Sequence, residues 1–360
     1  MLPRHGEISP VCGIPDFFGY VLVDNSFISF MKNMIAPLSC TELYGQEKAQ
    51  QLLAKALAKK RLPHSLLFSG PDGVGKYLFA RGLAAALCCR QNGPASLAAC
   101  GTCPACGKIR SGNHPDFQTI TSQKGGIRIA RIRQLIKELE YPPYEAAIRV
   151  VVLRDVDEMG REAANALLKT LEEPRSSNLL VLLADSSRPL LATISSRCQK
   201  IPFAPLSLAD TARILEAEGV PGEEARLLAR FSSGSPGQAL RLHSAGIVLL
   251  WQQIVDFVSH QQKNASDEVM GVLAFAEKMA ALKDDLPLLL GLFRRWLRDL
   301  LLADEESLSC YRTDSGRRRS KVWSSSELSA RMKALDRAER ALARNCQRGP
   351  VCEVLLFAFQ

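Results

Sequence analysis

The chain has 360 residues, 47% of them apolar, and a formal net charge of +9. That length suits two or three domains of roughly 150 residues each. No run of eighteen apolar residues exists, so no membrane span is expected; eleven cysteines, an odd and sparse set, exclude a disulfide scaffold and fit an intracellular, cytoplasmic protein. The basic excess suits a polyanionic or acidic partner, and it is also what a solvated basic surface looks like.

Residues 1–38 carry turn-formers without a helical period and lack a compact apolar secretory core. They read as an N-terminal extension, disordered or preceding the true start, with Met31 and Met34 just ahead of the folded pattern. From 39 to 205, short apolar strands alternate with amphipathic helices, the pattern of a parallel α/β sheet. His64-Ser-Leu-Leu-Phe-Ser69 is the first buried strand. It runs into Gly70-Pro-Asp-Gly-Val-Gly-Lys76-Tyr77, and Leu78, Phe79, Leu83 and Leu87 then recur at helical spacing.

Strand, glycine loop and helix are the setting of a phosphate-binding loop, in which backbone N–H groups and a lysine hold phosphate oxygens. Gly70, Gly73, Gly75 and Lys76 are the candidate binding residues. The next position normally offers a hydroxyl to magnesium. Tyr77 offers a phenol on a long rigid ring, which does not reach the same coordination site. A second strand, Ile148–Leu153, should end in an acid for magnesium and another for the attacking water. The chain instead reads Arg154-Asp155-Val156-Asp157-Glu158. A cation at 154 repels a metal, and Asp155 is one methylene short of a catalytic glutamate. Productive magnesium–ATP chemistry is therefore not expected, and the acidic run reads equally as a solvated, helix-capping turn.

Between these strands lie Cys100-x2-Cys103-x2-Cys106, with Cys88 and Cys89 upstream. Four thiolates at this spacing point to a closed, structural zinc site rather than an iron–sulfur cluster, a redox pair or free thiols. Neighbouring residues on a helix differ in facing by about 100°, so only one of Cys88 and Cys89 reaches the metal, and spacing does not say which. Further on, Ala164, Leu167, Leu168 and Leu171 make one helical stripe that Pro174 stops, and Leu179–Ala184 is the next strand.

After Pro205 the pattern becomes all-helical. Ser207 caps a helix over 208–218, a second runs over 222–232, and a third follows Gly234-Ser-Pro-Gly237. Longer amphipathic helices fill the rest, with 286–302 the most apolar. A basic, turn-rich stretch at 307–326 includes Arg317-Arg-Arg319. The last helical run, 330–359, is expected to break at Gly349-Pro350.

These motifs together resemble the delta-prime family of clamp-loader subunits of bacterial DNA polymerase III, within the AAA+ superfamily. The residues that carry the resemblance begin at Tyr44-Gly-Gln46 and include the loop at 70–77, the cysteines, His114-Pro-Asp-Phe117, Ala163-Ala-Asn-Ala-Leu-Leu-Lys-Thr-Leu-Glu-Glu-Pro174, Ser196-Arg-Cys198 and Gly234-Ser-Pro-Gly-Gln-Ala-Leu240. Counted from Gly70, Cys89 matches the family's first zinc cysteine. The resemblance implies a P-loop-type AAA+ α/β domain at 39–205 carrying a zinc module at 89–106, a helical lid at 206–244 and an all-α collar for oligomerisation at 245–360.

It also implies a role in loading a sliding clamp onto primed DNA beside tau/gamma and delta subunits, within the polymerase holoenzyme. Arg197 matches the arginine that such subunits insert into a neighbour's ATP site, and an arginine supplied in trans is worth about 10³–10⁵ in rate. Asp185 stands where a neutral polar sensor is usual and Gly237 where the motor subunits carry a second-sensor arginine. Both departures, like Tyr77 and Arg154, weaken hydrolysis. The alternatives are an ATP-hydrolysing motor subunit of the tau/gamma type and a zinc-bearing nucleic-acid-binding scaffold.

Overall fold

The computed structural model describes residues 38–93, 96–122, 126–173, 177–259, 265–302 and 323–359. The expected extension at 1–38 falls outside them except for Leu38, as do Pro174 and most of the basic stretch at 307–326.

Among the described residues, five strands form one all-parallel sheet: β1 (Ser65–Gly70), β2 (Phe117–Ile120), β3 (Arg149–Leu153), β4 (Asn178–Asp185) and β5 (Gln199–Pro202), in the spatial order β2-β3-β4-β1-β5. β1 lies between β4 and β5, with Leu66 opposite both Val181 and Gln199. The strands read as continuous apolar runs because both faces are covered. Alternation sorts their side chains. Leu66, Phe68, Val150 and Val152 join one core, while Leu67, Val151 and Leu153 join the other.

Over the first face lie α1 (Glu47–Ala58) and α2 (Lys76–Cys88), with α3 (Pro104–Arg110) beside α2. Over the second lie α4 (Ile129–Leu139) and α5 (Arg161–Glu172), and the single turn α6 (Ala192–Ser195) precedes β5. On α2, Phe79, Leu83 and Leu87 bury the face read from the sequence, and Phe79 stacks edge-on against Phe68 and Phe203.

Beyond Pro205 the described residues are helical: α7 (Leu208–Ala217), α8 (Gly222–Phe231), α9 (Pro236–Ser244), α10 (Ile247–Ser259), α11 (Ala265–Ala281), α12 (Leu286–Leu302), α13 (Ser325–Ala343) and α14 (Arg348–Phe357). Ser207 caps α7 by accepting the Asp210 N–H at 3.0 Å, and Ser324 and Glu327 form a reciprocal capping box on α13. One apolar cluster runs from Leu215 to Phe359, centred on Trp251 against Phe231 and Trp296, so the segments expected as lid and collar share buried side chains across residue 245.

The expected break at Gly349-Pro350 is displaced. The chain turns at Arg344–Gln347, with Asn345 left-handed at φ +59°. Gly349 and Pro350 sit inside the first turn of α14. Proline is tolerated there because the N–H it lacks has no intrahelical partner at that position.

Candidate functional site

The glycine loop joins β1 to α2 at the carboxyl end of the sheet. Gly73 (φ +76°) and Gly75 (φ +96°) take left-handed conformations that side-chain-bearing residues rarely adopt. Lys76 opens α2, and its Nζ donates back to the carbonyls of Gly70 and Pro71, both at 2.6 Å. Burial lowers the pKa of this ammonium, against Asp72, Asp185 and Asp157, which raise it.

A cleft of about 520 Å³ opens beside the loop. The guanidinium of Arg154 lies over the Tyr77 ring, 4.8 Å from its centroid. The arginine at the end of β3 and the tyrosine after the loop lysine, read separately in the sequence as two obstacles to magnesium, are thus one cation–π pair. Asp155 has a left-handed backbone (φ +57°), and burial pushes its carboxyl above the ordinary range, with Arg154 opposing. The acidic run is only partly a solvated turn. The Asp157 carboxylate is 2% exposed, accepts the Asp185 N–H at 3.0 Å and pairs with Arg188 at 3.4 Å; Glu158 pairs with the same guanidinium. Arg188, which no local motif marks, is thus a further cation of this cleft beside Lys76 and Arg154.

The helical region closes over the loop. The Ser235 hydroxyl donates to the Asp72 carbonyl at 2.7 Å, and the Gly237 N–H donates to the Gly73 carbonyl at 3.0 Å. A Cβ at Gly237 would lie 2.8 Å from the Gly73 Cα. Glycine at 237, read as a lost sensor arginine, is thus also what allows α9 to seat on the loop. Gln46 ties the loop to the stretch after β5, donating to the Val74 carbonyl at 3.4 Å. Its amide donates to the Ala204 carbonyl at 2.9 Å and accepts the Ala204 N–H at 3.2 Å.

The Sγ atoms of Cys89, Cys100, Cys103 and Cys106 all lie within 4.8 Å of one another, with Cys100 and Cys106 3.9 Å apart. A tetrahedral centre with metal–sulfur bonds of ~2.3 Å spaces its sulfurs by roughly 3.8 Å, so this set fits a four-thiolate metal site. Cys88 is the last residue of α2 and packs in the core; burial pushes its thiol up to about 12. Cys89 caps the helix in extended conformation, which turns it toward the other three. Cys100 is pulled down to about 6 by the N–H groups of Cys103 and Thr102, which suits a thiolate.

The module is tied to the sheet through Glu145, which pairs with Lys108 at 2.8 Å and Arg90 at 3.6 Å and lies 3.4 Å from His114, whose burial lowers its pKa. Next to it, Asp116 is fully buried and accepts three backbone N–H groups, from Tyr144, Glu145 and Ala146, at 2.6–2.9 Å.

Arg197 follows α6 and precedes β5, at the amino end of the strands. Gln199 pairs with Leu66, four residues before Gly70, a separation of about 13 Å along the strand. Arg197 is therefore not among the residues lining its own loop's cleft. Its side chain is 35% exposed and pairs with Glu172.

A family model described as DNA polymerase III, delta subunit, matches residues 45–207. The chain is 35% identical over 269 residues to the DNA polymerase III subunit delta' of Pseudomonas aeruginosa, covering 72% of this chain and 79% of that protein. It is 36% identical over 189 residues to the delta' subunit of Bacillus subtilis, covering 52% and 56%. It is also 33% identical over 217 residues to the tau subunit of Escherichia coli DNA polymerase III, covering 59% and 33%.

Proposed function

As this chain belongs to the family of DNA polymerase III delta' subunits, we propose that it is the non-hydrolysing subunit of a clamp loader and completes a neighbour's ATP site with Arg197. It works beside tau/gamma and delta subunits and, through them, on the sliding clamp and primer–template DNA, in the cytoplasm. Residues 39–205 serve as the AAA+ module, 206–244 as its lid and 245–360 as the collar. Its own site does not turn over ATP. Arg154 and Tyr77 occupy the positions that would present magnesium ligands, and they stack on one another there. Zinc at Cys89, Cys100, Cys103 and Cys106 is structural, since four thiolates leave no open coordination position.

One observation carries the arginine's role. Arg197 is exposed at the end of the sheet opposite its own glycine loop, so the phosphate it serves belongs to another subunit. The motor-type reading suits the tau relative but lacks a magnesium site.

The test is a loader reconstituted with Arg197→Ala at equal assembly. Its DNA- and clamp-stimulated ATPase should fall by the loss of one trans contact. Arg197→Lys should recover it only partly, because an ammonium lacks the planar fork of a guanidinium. Unchanged ATPase and clamp loading would leave Arg197 a structural strand-end residue.

A further inference from the structure

The Arg197 guanidinium is held rather than free. Its Nε and one terminal nitrogen both engage the Glu172 carboxylate at the end of α5. The other terminal nitrogen donates to the Thr193 carbonyl at 3.1 Å and the Ser196 hydroxyl at 3.3 Å. A guanidinium has five N–H donors in a fixed plane. These contacts, from two different elements, set both the direction of the side chain and the rotation of that plane.

Glu172 and Arg197 are 47% and 35% exposed, and an exposed ion pair adds little to stability. Its effect is on conformation. An unheld surface arginine spreads over many rotamers, and ordering it costs roughly 2 kcal/mol of side-chain entropy at the moment it is needed. An arginine already oriented meets a phosphate with less to lose.

We propose that Glu172 is a positioning residue for Arg197, fixing the guanidinium pose in which it reaches the neighbouring subunit's phosphate. This rests on the trans role of Arg197. A carboxylate that merely competed with the phosphate would act in the opposite direction, since its removal would free the arginine and raise the rate.

The experiment uses the reconstituted loader with DNA and clamp. Glu172→Ala should lower kcat about threefold to tenfold with the ATP KM little changed, and leave assembly and the denaturation midpoint of the isolated subunit unaltered. Glu172→Gln, which keeps an acceptor oxygen, should recover part of the loss. In an Arg197→Ala background, Glu172→Ala should do nothing more. A rate that stays the same or rises with Glu172→Ala, or a loss that persists without Arg197, overturns the positioning role. If Arg197→Ala itself has no effect, the trans reading fails and takes this one with it. If Arg197→Ala slows the loader and Glu172→Ala does not, only the positioning role is lost.

Discussion

The Gly237 amide meets the Gly73 carbonyl at 3.0 Å, so two glycines from distant parts of the chain fasten the helical region to the phosphate-type loop. An alanine at 237 would bring its Cβ to 2.8 Å from the Gly73 Cα and 3.1 Å from its carbonyl oxygen. Backbone cannot rotate away as a side-chain end can. Helix propensity favours alanine over glycine by up to about 1 kcal/mol, while overpacking costs about 1–3 kcal/mol. Gly237→Ala should therefore destabilise the chain on balance. Thermal unfolding should show a lower midpoint, and hydrogen exchange should quicken together at 71–75 and 235–238. Faster exchange in one segment alone would mean that they are not coupled.

The isolated chain should release no phosphate from ATP. Tyr77→Thr should not change this, because Arg154 stays in the metal position, and adding Arg154→Asp should be the minimum needed for magnesium to bind. A steady-state phosphate-release assay decides. A wild-type rate of about 1 s⁻¹ or more that Lys76→Ala abolishes would overturn the inactive-site reading.

Metal analysis should find about one zinc per chain. Cys103→Ser and Cys89→Ser should lose it, while Cys88→Ser should keep it, because the group of converging thiols is Cys89, Cys100, Cys103 and Cys106 and does not include Cys88. Chelation should loosen 89–106 and leave the sheet folded. Zinc retained in both Cys89→Ser and Cys103→Ser would dissolve the four-thiolate site.

Asp116 ties stability to pH. Burial alone would raise its carboxyl pKa, but three backbone N–H donors and Arg149 outweigh that and hold it below the ordinary carboxylate range. A depressed folded pKa contributes stability that is fully present above the unfolded value of about 3.9 and is lost as pH falls through the lower folded value. Asp116→Asn should cost about 2–3 kcal/mol at pH 7, since an amide cannot accept all three donors. The gap in urea midpoint between variant and wild type should narrow as pH falls below about 4. A gap independent of pH would show that packing, not the charge, holds this loop.

Much of this was legible in the residues. The strands at 65–70, 149–153 and 178–185 are apolar runs bounded by turn-formers, and the cysteine spacing is local. What escaped depends on contacts distant in sequence. Nothing near Gly237 tells that Gly73 will lie against it, and nothing near Arg188 tells that it will neutralise Asp157. The choice between Cys88 and Cys89 turned on where α2 ends, and boundaries depend on caps that spacing does not contain. Gly349-Pro350, expected as a break, lies at a helix start, because proline marks either end of a helix.

The position of β1 also sets an order of events during synthesis. β1 is made early, yet its two neighbours are β4 and β5, so Ser65–Gly70 has no strand to pair with until Asn178–Asp185 has emerged. At ~5–20 residues per second, that wait is roughly 5–20 s. The four cysteines, all between 89 and 106, need no such partner. On the ribosome, the cysteine module is therefore free to close first, and the glycine loop, hung on β1, takes its shape among the last parts of the sheet.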